Sequence, residues 1–420
     1  MNKYVDLKYK PKEDELIAKY FVEPINGKSL EEIANHIAGE SSIDTWSSIT
    51  TLSESMRKRL MPHVYKIDDK KKIIEIAYNS ELFEEGNMSQ ILSAIAGNIY
   101  GMSLVKNLRL LDFILPENMV KSFQGPQFGI KGVRKILNVY DRPLVGTIVK
   151  PKVGLNVKEH TDVGYKSWIG GCDAVKDDEN LTSMKFNKFE ERIPSMLNAM
   201  DKAINETGEK KVYFPNITGP YDKMVERYDC VVESGGNYIM YDILTAGFGA
   251  LQGIRKMSKL PIHGHRAMHG ALTRNKKMGM SMLALAKISR LLGIDTLHIG
   301  AIFGKMEGSE SEIVEIENEI ESETKRASRI ALKQPWYRMK KTMAVASGGV
   351  YPGVVPKIIN SMGNDIVIQA GGGISAHKNG IVDGSKAMRQ AIEASMQNIS
   401  LNDYAKKHKE LKIALEQWGE

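Results

Sequence analysis

The feature that most constrains this chain is a local pattern that recurs eight times after about residue 126. Each repeat has a short apolar or β-branched run, a cluster of Gly, Asp, Asn, His or Lys, and a longer helix-like segment. The runs cover residues 144–149, 174–176, 212–215, 238–241, 261–265, 296–299, 343–346 and 366–369. Strands and helices that alternate in this way are typical of a (β/α)8 barrel, whose chemistry lies on the loops after the strands. We therefore predict an α/β fold in which residues 126–420 form a TIM barrel.

Residues 1–125 show a different pattern, in which strand-like and helical segments are mixed. Strand character is strongest at 16–22 and 72–77, and helical periodicity at 30–38 and 88–99. We expect a separate, smaller α+β domain of ferredoxin-like type ahead of the barrel.

The composition excludes several classes of protein. Two cysteines, Cys172 and Cys230, are too few for a disulfide framework, and no apolar stretch is long enough to span a bilayer, so we expect a cytoplasmic protein without a membrane partner. The net charge of +7 is spread along the chain. Lysine-rich stretches at 70–72, 210–211 and 406–409 are typical of solvated helix faces and turns, so no nucleic-acid partner is expected.

Lysines and carboxylates follow the first two predicted barrel strands. Lys150 and Lys152 lie on the same side of their strand, where burial and a like-charged neighbour would bring a lysine pKa toward acid–base values. Lys176 and Asp178 share a face, and Glu179 follows. An acidic turn held by ion pairs is one interpretation, but carboxylates this close also suit a hard cation such as Mg²⁺. Lys176 could join such a site if it reacted with CO2 to give an anionic carbamate.

Histidines and an arginine follow the fifth and sixth predicted strands. The segment His263-Gly-His-Arg-Ala-Met-His269 contains Arg266, and His298 ends the next strand. Zinc binding is an alternative role for these histidines, but no Cys or HExxH pattern accompanies them, and Arg266 favours an anion. Lys305 lies on a glycine-punctuated loop that resembles a mobile lid.

Glycine-rich segments follow the last two strands. They are Ser347-Gly348-Gly349 and Gln369-Ala-Gly371-Gly372-Gly373, in the positions where barrels commonly bind phosphate. Together with Arg266 and His298, they suggest two phosphate sites and a bisphosphorylated substrate.

These segments, in this order, resemble the large subunit of ribulose-1,5-bisphosphate carboxylase/oxygenase (RuBisCO) over essentially the whole chain. The segments that carry the resemblance are GGCDAVKDDEN at 170–180, GTIVKPK at 146–152, HRAMH at 265–269, GKMEG at 304–308, ASGGV at 346–350, GESSIDTW at 39–46 and GNIYG at 97–101. Tyr351-Pro352 and the short termini favour the archaeal form III type, which works without small subunits.

The resemblance implies a role for each matching residue. Lys176 would be carbamylated and would hold Mg²⁺ with Asp178 and Glu179, while Lys150 and His265 would transfer protons. The remaining expected substrate contacts are Lys152, Arg266, His298, Ser347, Gly348, Gly349, Gln369, Gly371, Gly372, Lys305, Thr45 and Trp46. Of these, Arg266, His298 and Ser347 would bind one phosphate. Glu40 and Asn98 would reach the site from the partner subunit of an obligate homodimer, with Glu40 pairing with Lys305.

The implied reaction is Mg²⁺-dependent carboxylation of ribulose 1,5-bisphosphate through an enediol, with O2 as a competing reactant and nucleotide (AMP) ribose salvage as the setting. Ile148 and Ile299 depart from the pattern of plant-type enzymes. These departures affect the expected CO2/O2 selectivity and turnover, but they do not change the expected class of enzyme. A RuBisCO-like enolase or isomerase is the alternative, although it would lack the full set of residues. A noncatalytic barrel would have no reason to keep Lys176 beside Asp178 and Glu179.

Overall fold

The computed structural model describes residues 3–45, 49–302, 310–328 and 330–420. These residues form two compact units. The first comprises Met1–Gln124, Met268–Leu292 and Ser322–Met339, and the second comprises Gly125–Ala267, Gly293–Glu321 and Lys340–Glu420.

The strands and helices are numbered here in chain order. The strands are β1 Glu15–Pro24, β2 His63–Asp68, β3 Ile73–Asn79, β4 Val105–Ile114, β5 Leu144–Ile148, β6 Ala174–Lys176, β7 Val212–Phe214, β8 Ile239–Asp242, β9 Ile262–His265, β10 Gly279–Met280, β11 Thr296–His298, β12 Thr324–Lys325, β13 Gln334–Pro335, β14 Met343–Ser347 and β15 Ile366–Ala370. The α-helices are α1 Leu30–Glu40, α2 Glu54–Leu60, α3 Met88–Ile95, α4 Glu117–Ser122, α5 Gly129–Leu137, α6 Val157–Ile169, α7 Phe189–Thr207, α8 Tyr221–Glu233, α9 Phe248–Met257, α10 His269–Thr273, α11 Met282–Leu291, α12 Glu310–Glu321, α13 Val355–Met362, α14 Gly372–Ser375, α15 Ile381–Met396, α16 Leu401–Ala405 and α17 Lys409–Trp418. Short 3-10 helices span Ser80–Leu82, Asn98–Gly101 and Pro352–Val354.

The first unit is built on an antiparallel sheet. Its strand order is β4–β1–β3–β2, and the short β10 pairs in parallel with β4. The helices α1 and α3 connect β1 to β2 and β3 to β4, which gives a ferredoxin-like strand order. The predicted α+β fold of this region is confirmed.

The second unit contains a parallel sheet of eight strands in the order β7–β6–β5–β15–β14–β11–β9–β8. A parallel bridge between Asn216 and Met240 joins its two end strands. Around this bridge, Ile217 N donates to Met240 O at 3.1 Å, and Met240 N donates to Pro215 O at 2.9 Å. These bonds close the sheet, so the predicted (β/α)8 barrel is confirmed.

Alternate residues along the barrel strands pack into one apolar cluster. Its strand members include Leu144, Ala174, Val212, Phe214, Tyr238, Met240, Met343, Val345 and Val367. Helix α5 contributes Ile130, Val133 and Leu137 to the same cluster. Asp295, just before β11, accepts hydrogen bonds from Phe128 N and Gly129 N at 2.7 and 2.8 Å, which ties the start of α5 to the amino ends of the strands. The polar residues of the predicted site lie at the opposite, carboxyl ends of the strands.

One predicted element ends earlier than its periodicity indicated. The helix expected over 88–99 ends at Ile95, and a separate 3-10 helix begins at Asn98. At Gly97, between them, an added Cβ would lie 2.0 Å from Ser93 O, so the backbone there requires glycine. No helix among the described residues has the length and apolar character needed to cross a membrane.

Candidate active site

The barrel residues predicted to form the site lie at or just after the carboxyl ends of strands. They follow or end β5, β6, β9, β11, β14 and β15, and they are Lys150, Lys152, Lys176, Asp178, Glu179, His265, Arg266, His298, Ser347, Gly348, Gly349, Gln369, Gly371 and Gly372. Because parallel strands end at one edge of a barrel, these segments converge on one mouth.

Two lysines face two carboxylates at the centre of this edge. Lys150 Nζ donates to Asp178 Oδ2 at 2.6 Å. Lys176 Nζ lies 3.2 Å from Glu179 Oε2 and donates to the backbone carbonyl of Asp177 at 2.7 Å. The Lys176 side chain is 0% exposed and that of Asp178 is 1% exposed. The positive and negative charges therefore neutralise one another in a buried setting.

Glu179 remains ionised in this setting. Burial would raise the pKa of Glu179, but the positive charges of Lys176 and His265 outweigh burial and lower the pKa to about 2. An ionised carboxylate oxygen therefore lies beside the Lys176 amine at neutral pH.

His265 lies between two carboxylates. Its Nε2 is 3.5 Å from Glu179 Oε2, and its Nδ1 is 3.3 Å from Asp242 Oδ1. Asp242 was missed by the sequence analysis, although its position at the end of β8 was a signal of the same kind as the other strand-end residues. His265 Nδ1 also accepts a hydrogen bond from Ala267 N at 3.2 Å. An imidazole this close to two carboxylates is suited to proton transfer.

Asp177 points away from its two neighbours in the acidic segment. It accepts hydrogen bonds from Tyr213 Oη at 2.5 Å and from Asn216 N at 3.0 Å, and it pairs with Arg192 at 3.1 Å and His160 at 3.0 Å. The sequence could have predicted this orientation, because successive side chains of a strand point to opposite faces. Lys176 and Asp178 share one face, and Asp177 lies on the other. Asp177 therefore anchors the segment that carries the candidate ligands.

His298 is hydrogen-bonded to Ser347, since its Nδ1 lies 2.6 Å from Ser347 Oγ. Burial, followed by unfavourable electrostatic interactions with His263, His265, Lys176 and Arg266, lowers the pKa of His298 well below the usual range. The ring is therefore neutral at physiological pH.

Arg266 is a second buried cationic group at this mouth, with 8% of its surface exposed. Burial lowers the pKa of Arg266 to about 10, against the opposing charge of Glu312, so the guanidinium stays charged. A Cβ at Gly300 would lie 2.9 Å from Arg266 Nη2, so the glycine makes room for the guanidinium.

The two glycine segments pack against each other and against a catalytic candidate. Gly348 and Gly349 have φ angles of +107° and +81°. A Cβ at Gly371 would lie 3.2 Å from Lys150 Cε, and a Cβ at Gly373 would lie 2.2 Å from Val350 O. The positive φ angles at Gly348 and Gly349 and the backbone contact at Gly373 favour glycine at these three positions, where backbone N–H groups can approach a ligand closely. The side-chain amide of Gln369, 1% exposed, has no hydrogen-bond partner among the described residues.

The remaining predicted site residues are not part of the described barrel residues. Glu40 ends α1, which packs against the 3-10 helix that Asn98 begins, and Thr45 is exposed; all three belong to the first unit. Lys305 and Trp46 lie outside the described residues. The described residues contain no group of three or more His, Cys, Asp or Glu side chains that could hold a metal ion.

Two family models match the chain. Residues 3–119 match the N-terminal domain of the ribulose bisphosphate carboxylase large chain, and residues 129–418 match its catalytic domain. Proteins named ribulose bisphosphate carboxylase from Methanosarcina mazei and Methanocaldococcus jannaschii are 47% and 49% identical, over 99% of this chain and 98% and 99% of their own lengths.

Solved structures of archaeal enzymes are similar as well. The dimeric Rubisco of Hyperthermus butylicus superposes with a TM-score of 0.94 at 41% identity, covering 100% of this chain and 99% of that one. The octameric Rubisco of Pyrococcus horikoshii, solved with sulfate, has a TM-score of 0.93 at 45% identity, covering 100% and 96%. These archaeal relatives are named ribulose bisphosphate carboxylase or Rubisco, and the chain therefore belongs to the RuBisCO large-chain family.

Proposed function

We propose that this chain carries out Mg²⁺-dependent carboxylation of ribulose 1,5-bisphosphate through an enediol, with oxygenation as a competing reaction. One substrate molecule, one CO2 and one water would give two 3-phosphoglycerate molecules. The proposal rests chiefly on Lys176, a fully buried amine beside an ionised Glu179 and next to Asp178. Salvage of AMP-derived ribose phosphate in the cytoplasm is the proposed setting.

The chemistry of the donor set fits a metal only if Lys176 is modified. As an ammonium, Lys176 pairs with Glu179 at 3.2 Å and would oppose a cation. As a carbamate it would be a third anionic group, and three clustered anions need a hard, oxygen-ligated cation. Mg²⁺ bound by Lys176, Asp178 and Glu179 would polarise the substrate carbonyl and stabilise charge that develops on its oxygens.

The proton transfers are assigned to groups of the chain itself. Lys176, once carbamylated, presents an anionic oxygen that can accept the C3 proton of the substrate. Lys150, which donates to Asp178, and His265, between Glu179 and Asp242, are the further proton donors and acceptors. Lys152, exposed after β5, would contact the substrate from the rim.

Two anion sites are proposed for the two phosphates. Arg266, His298 and Ser347 would hold one phosphate, which is supported by the buried guanidinium and the His298–Ser347 hydrogen bond. The other would be held by Gly349, Gly371, Gly372, Lys305, Thr45 and Trp46, with Gly348 and Gln369 completing the lining.

A homodimer without small subunits is the proposed working form. Glu40 and Asn98 would complete the site of the partner subunit, and higher assemblies of dimers remain compatible with this. The relative from Hyperthermus butylicus is described as dimeric and the one from Pyrococcus horikoshii as octameric.

The test is CO2-dependent formation of 3-phosphoglycerate from ribulose 1,5-bisphosphate. We expect activity to require preincubation with CO2 and Mg²⁺, and Lys176→Ala to abolish it, because the variant loses the ligand and the base together. Lys158→Ala, an exposed lysine on α6, is the matched control and should retain activity. Consumption of the substrate without incorporation of labelled CO2 would instead indicate an enolase or isomerase.

A further inference from the structure

A continuous chain of hydrogen bonds runs from the apolar interior of the barrel to the mouth. Tyr238 Oη lies 3.2 Å from Thr296 Oγ1, which lies 2.9 Å from His263 Nδ1. His263 Nε2 lies 2.8 Å from His298 Nε2, and His298 Nδ1 lies 2.6 Å from Ser347 Oγ. The first three of these residues have no place in the function proposed above.

This chain of hydrogen bonds is unusual because the side chains around it are apolar. Tyr238 belongs to the apolar cluster, and His263 stacks on Phe214 of the same cluster with ring centroids 4.4 Å apart. Tyr238, Thr296 and His263 are all 0% exposed. Barrel interiors are normally filled by branched apolar side chains, and burial of polar groups is costly unless each finds a partner.

The direction of every hydrogen bond in the chain follows from the buried end. Among the described residues, Thr296 Oγ1 is the acceptor available to the Tyr238 hydroxyl, so Tyr238 donates to it. Thr296 must then donate to His263 Nδ1, which leaves the proton of His263 on Nε2. The opposite direction would leave the Tyr238 proton without an acceptor in the apolar core.

The same reasoning extends to the mouth. His263 Nε2–H donates to His298 Nε2, so the proton of neutral His298 is on Nδ1 and is donated to Ser347 Oγ. Burial lowers the pKa of both imidazoles, so neither carries a second proton. Ser347 then accepts from His298 and keeps its own hydroxyl proton free.

We propose that Tyr238, Thr296 and His263 are positioning residues that fix His298 as the Nδ1–H tautomer, so that Ser347 donates its hydroxyl proton to a phosphate oxygen of the substrate. Both ring nitrogens of His298 are occupied in this arrangement, and His298 acts on the phosphate through Ser347. The inference rests on the proposed function for the identity of the anion. The tautomer itself does not depend on that identity.

The first measurement is ¹⁵N NMR of the histidine rings in the substrate-free protein, with the His298 signals identified by their loss in His298→Gln. The two nitrogens of a neutral imidazole have well-separated shifts, so the protonated one can be recognised. We expect Nδ1 of His298 to carry the proton. A proton on Nε2 would overturn the proposal, whatever the enzyme activity proves to be.

A matched pair of substitutions at Thr296 then tests the link to substrate. Asn can accept from Tyr238 and donate to His263, as Thr does, so Thr296→Asn should keep the tautomer and the KM. An ionised Asp only accepts, so Thr296→Asp, measured at a pH where the new carboxyl is ionised, should move the His263 proton to Nδ1. That shift should reverse the chain of hydrogen bonds and turn the Ser347 proton inward. We expect the KM for ribulose 1,5-bisphosphate to rise about tenfold, with a smaller change in kcat, because a hydrogen bond to the phosphate is lost.

The outcomes separate this inference from the proposed function. A reversed tautomer with an unchanged KM would refute the role of Ser347 as phosphate donor. An unreversed tautomer in a folded Thr296→Asp variant whose new carboxyl is ionised would refute the role of Thr296. If Thr296→Asp does not fold, the wild-type tautomer still decides the proposal. Absence of carboxylation in the wild-type enzyme, with His298 protonated on Nδ1, would count against the proposed function alone.

Discussion

Asp173 lies just before β6 at the amino end of the barrel and is fully buried. It pairs with Arg142 through two bonds of 2.7 and 2.8 Å, accepts from Val145 N at 2.7 Å and lies 3.3 Å from Arg389. Burial alone would raise the pKa of Asp173, but the two arginines lower it below its usual value. The carboxylate is therefore charged, and it joins β5, β6 and α15 away from the catalytic mouth.

We predict that Asp173→Asn lowers the free energy of unfolding by about 3 kcal/mol or more, since it leaves buried arginines without their counter-charge. The measurement is urea-induced unfolding at fixed protein concentration. Asp162→Asn is the control, because Asp162 forms an exposed pair with Lys166 that should contribute about 0.5 kcal/mol or less. Equal losses in the two variants would contradict the prediction.

The same variant should show a defined pH dependence. A folded-state pKa below the unfolded value of about 3.9 stabilises the fold above that pH, and the stabilisation is lost as the pH falls through the folded-state pKa. The stability difference between wild type and Asp173→Asn should therefore be largest near neutral pH and shrink under acid conditions.

At the scale of elements, the proposed function assigns distinct roles to the loops that follow β11, β14 and β15. Residues 303–309, which include Lys305, follow β11 and lie outside the described residues. Formation of the enediol needs the groups after β5, β6 and β9, whereas carboxylation also needs a cation over the incoming CO2 and a site closed to water. The two steps can therefore be separated by changing one loop.

We predict that Lys305→Ala reduces carboxylation by several orders of magnitude, because a charge contact to a developing carboxylate is commonly worth about 3 kcal/mol or more. Exchange of the substrate C3 proton with solvent should survive far better. Both rates are measured on the same preparation, with Lys378→Ala as a control at an exposed lysine far along the chain. A parallel fall in the two rates would show that Lys305 is not the lid cation.

At the scale of the whole molecule, the site is proposed to be shared between subunits. Glu40 belongs to the first unit, whereas Lys176 belongs to the second. If each site combines the barrel of one chain with Glu40 of the other, Glu40→Gln and Lys176→Ala chains are inactive alone but complement each other in a heterodimer. One of the two sites would then be intact.

Coexpression of differently tagged chains and assay of the purified heterodimer measures this directly. The control pairs Lys176→Ala with Glu179→Gln, two barrel variants that cannot complement because every site keeps one defect. Activity in the control, or none in the test pair, would contradict a shared site.

Much of this architecture could be predicted from the sequence because it depends on local periodicity. The eight apolar runs gave the barrel strands, and the order of strand and loop placed Lys150, Lys176, His265 and Ser347 at one edge. The prediction failed where a contact distant in sequence decides the outcome. Lys211 was expected on a solvated turn, but it is buried. It pairs with Glu209 at 2.7 Å, and Glu209 in turn pairs at 2.5 Å with Arg389 of α15, which is distant in sequence.

The sequence by itself determined the fold class, the family and the strand ends that carry the chemistry, since apolar spacing and motif order are properties of the chain. Only the tertiary structure decided how the polar groups are paired. The turn of Asp177 toward Arg192, the approach of Asp242 to His265 and the link between Thr296 and His263 each join residues from different strands or helices. Such pairings follow from the closure of the barrel, because closure brings side chains from separate strands into one buried volume where each polar group must find a partner.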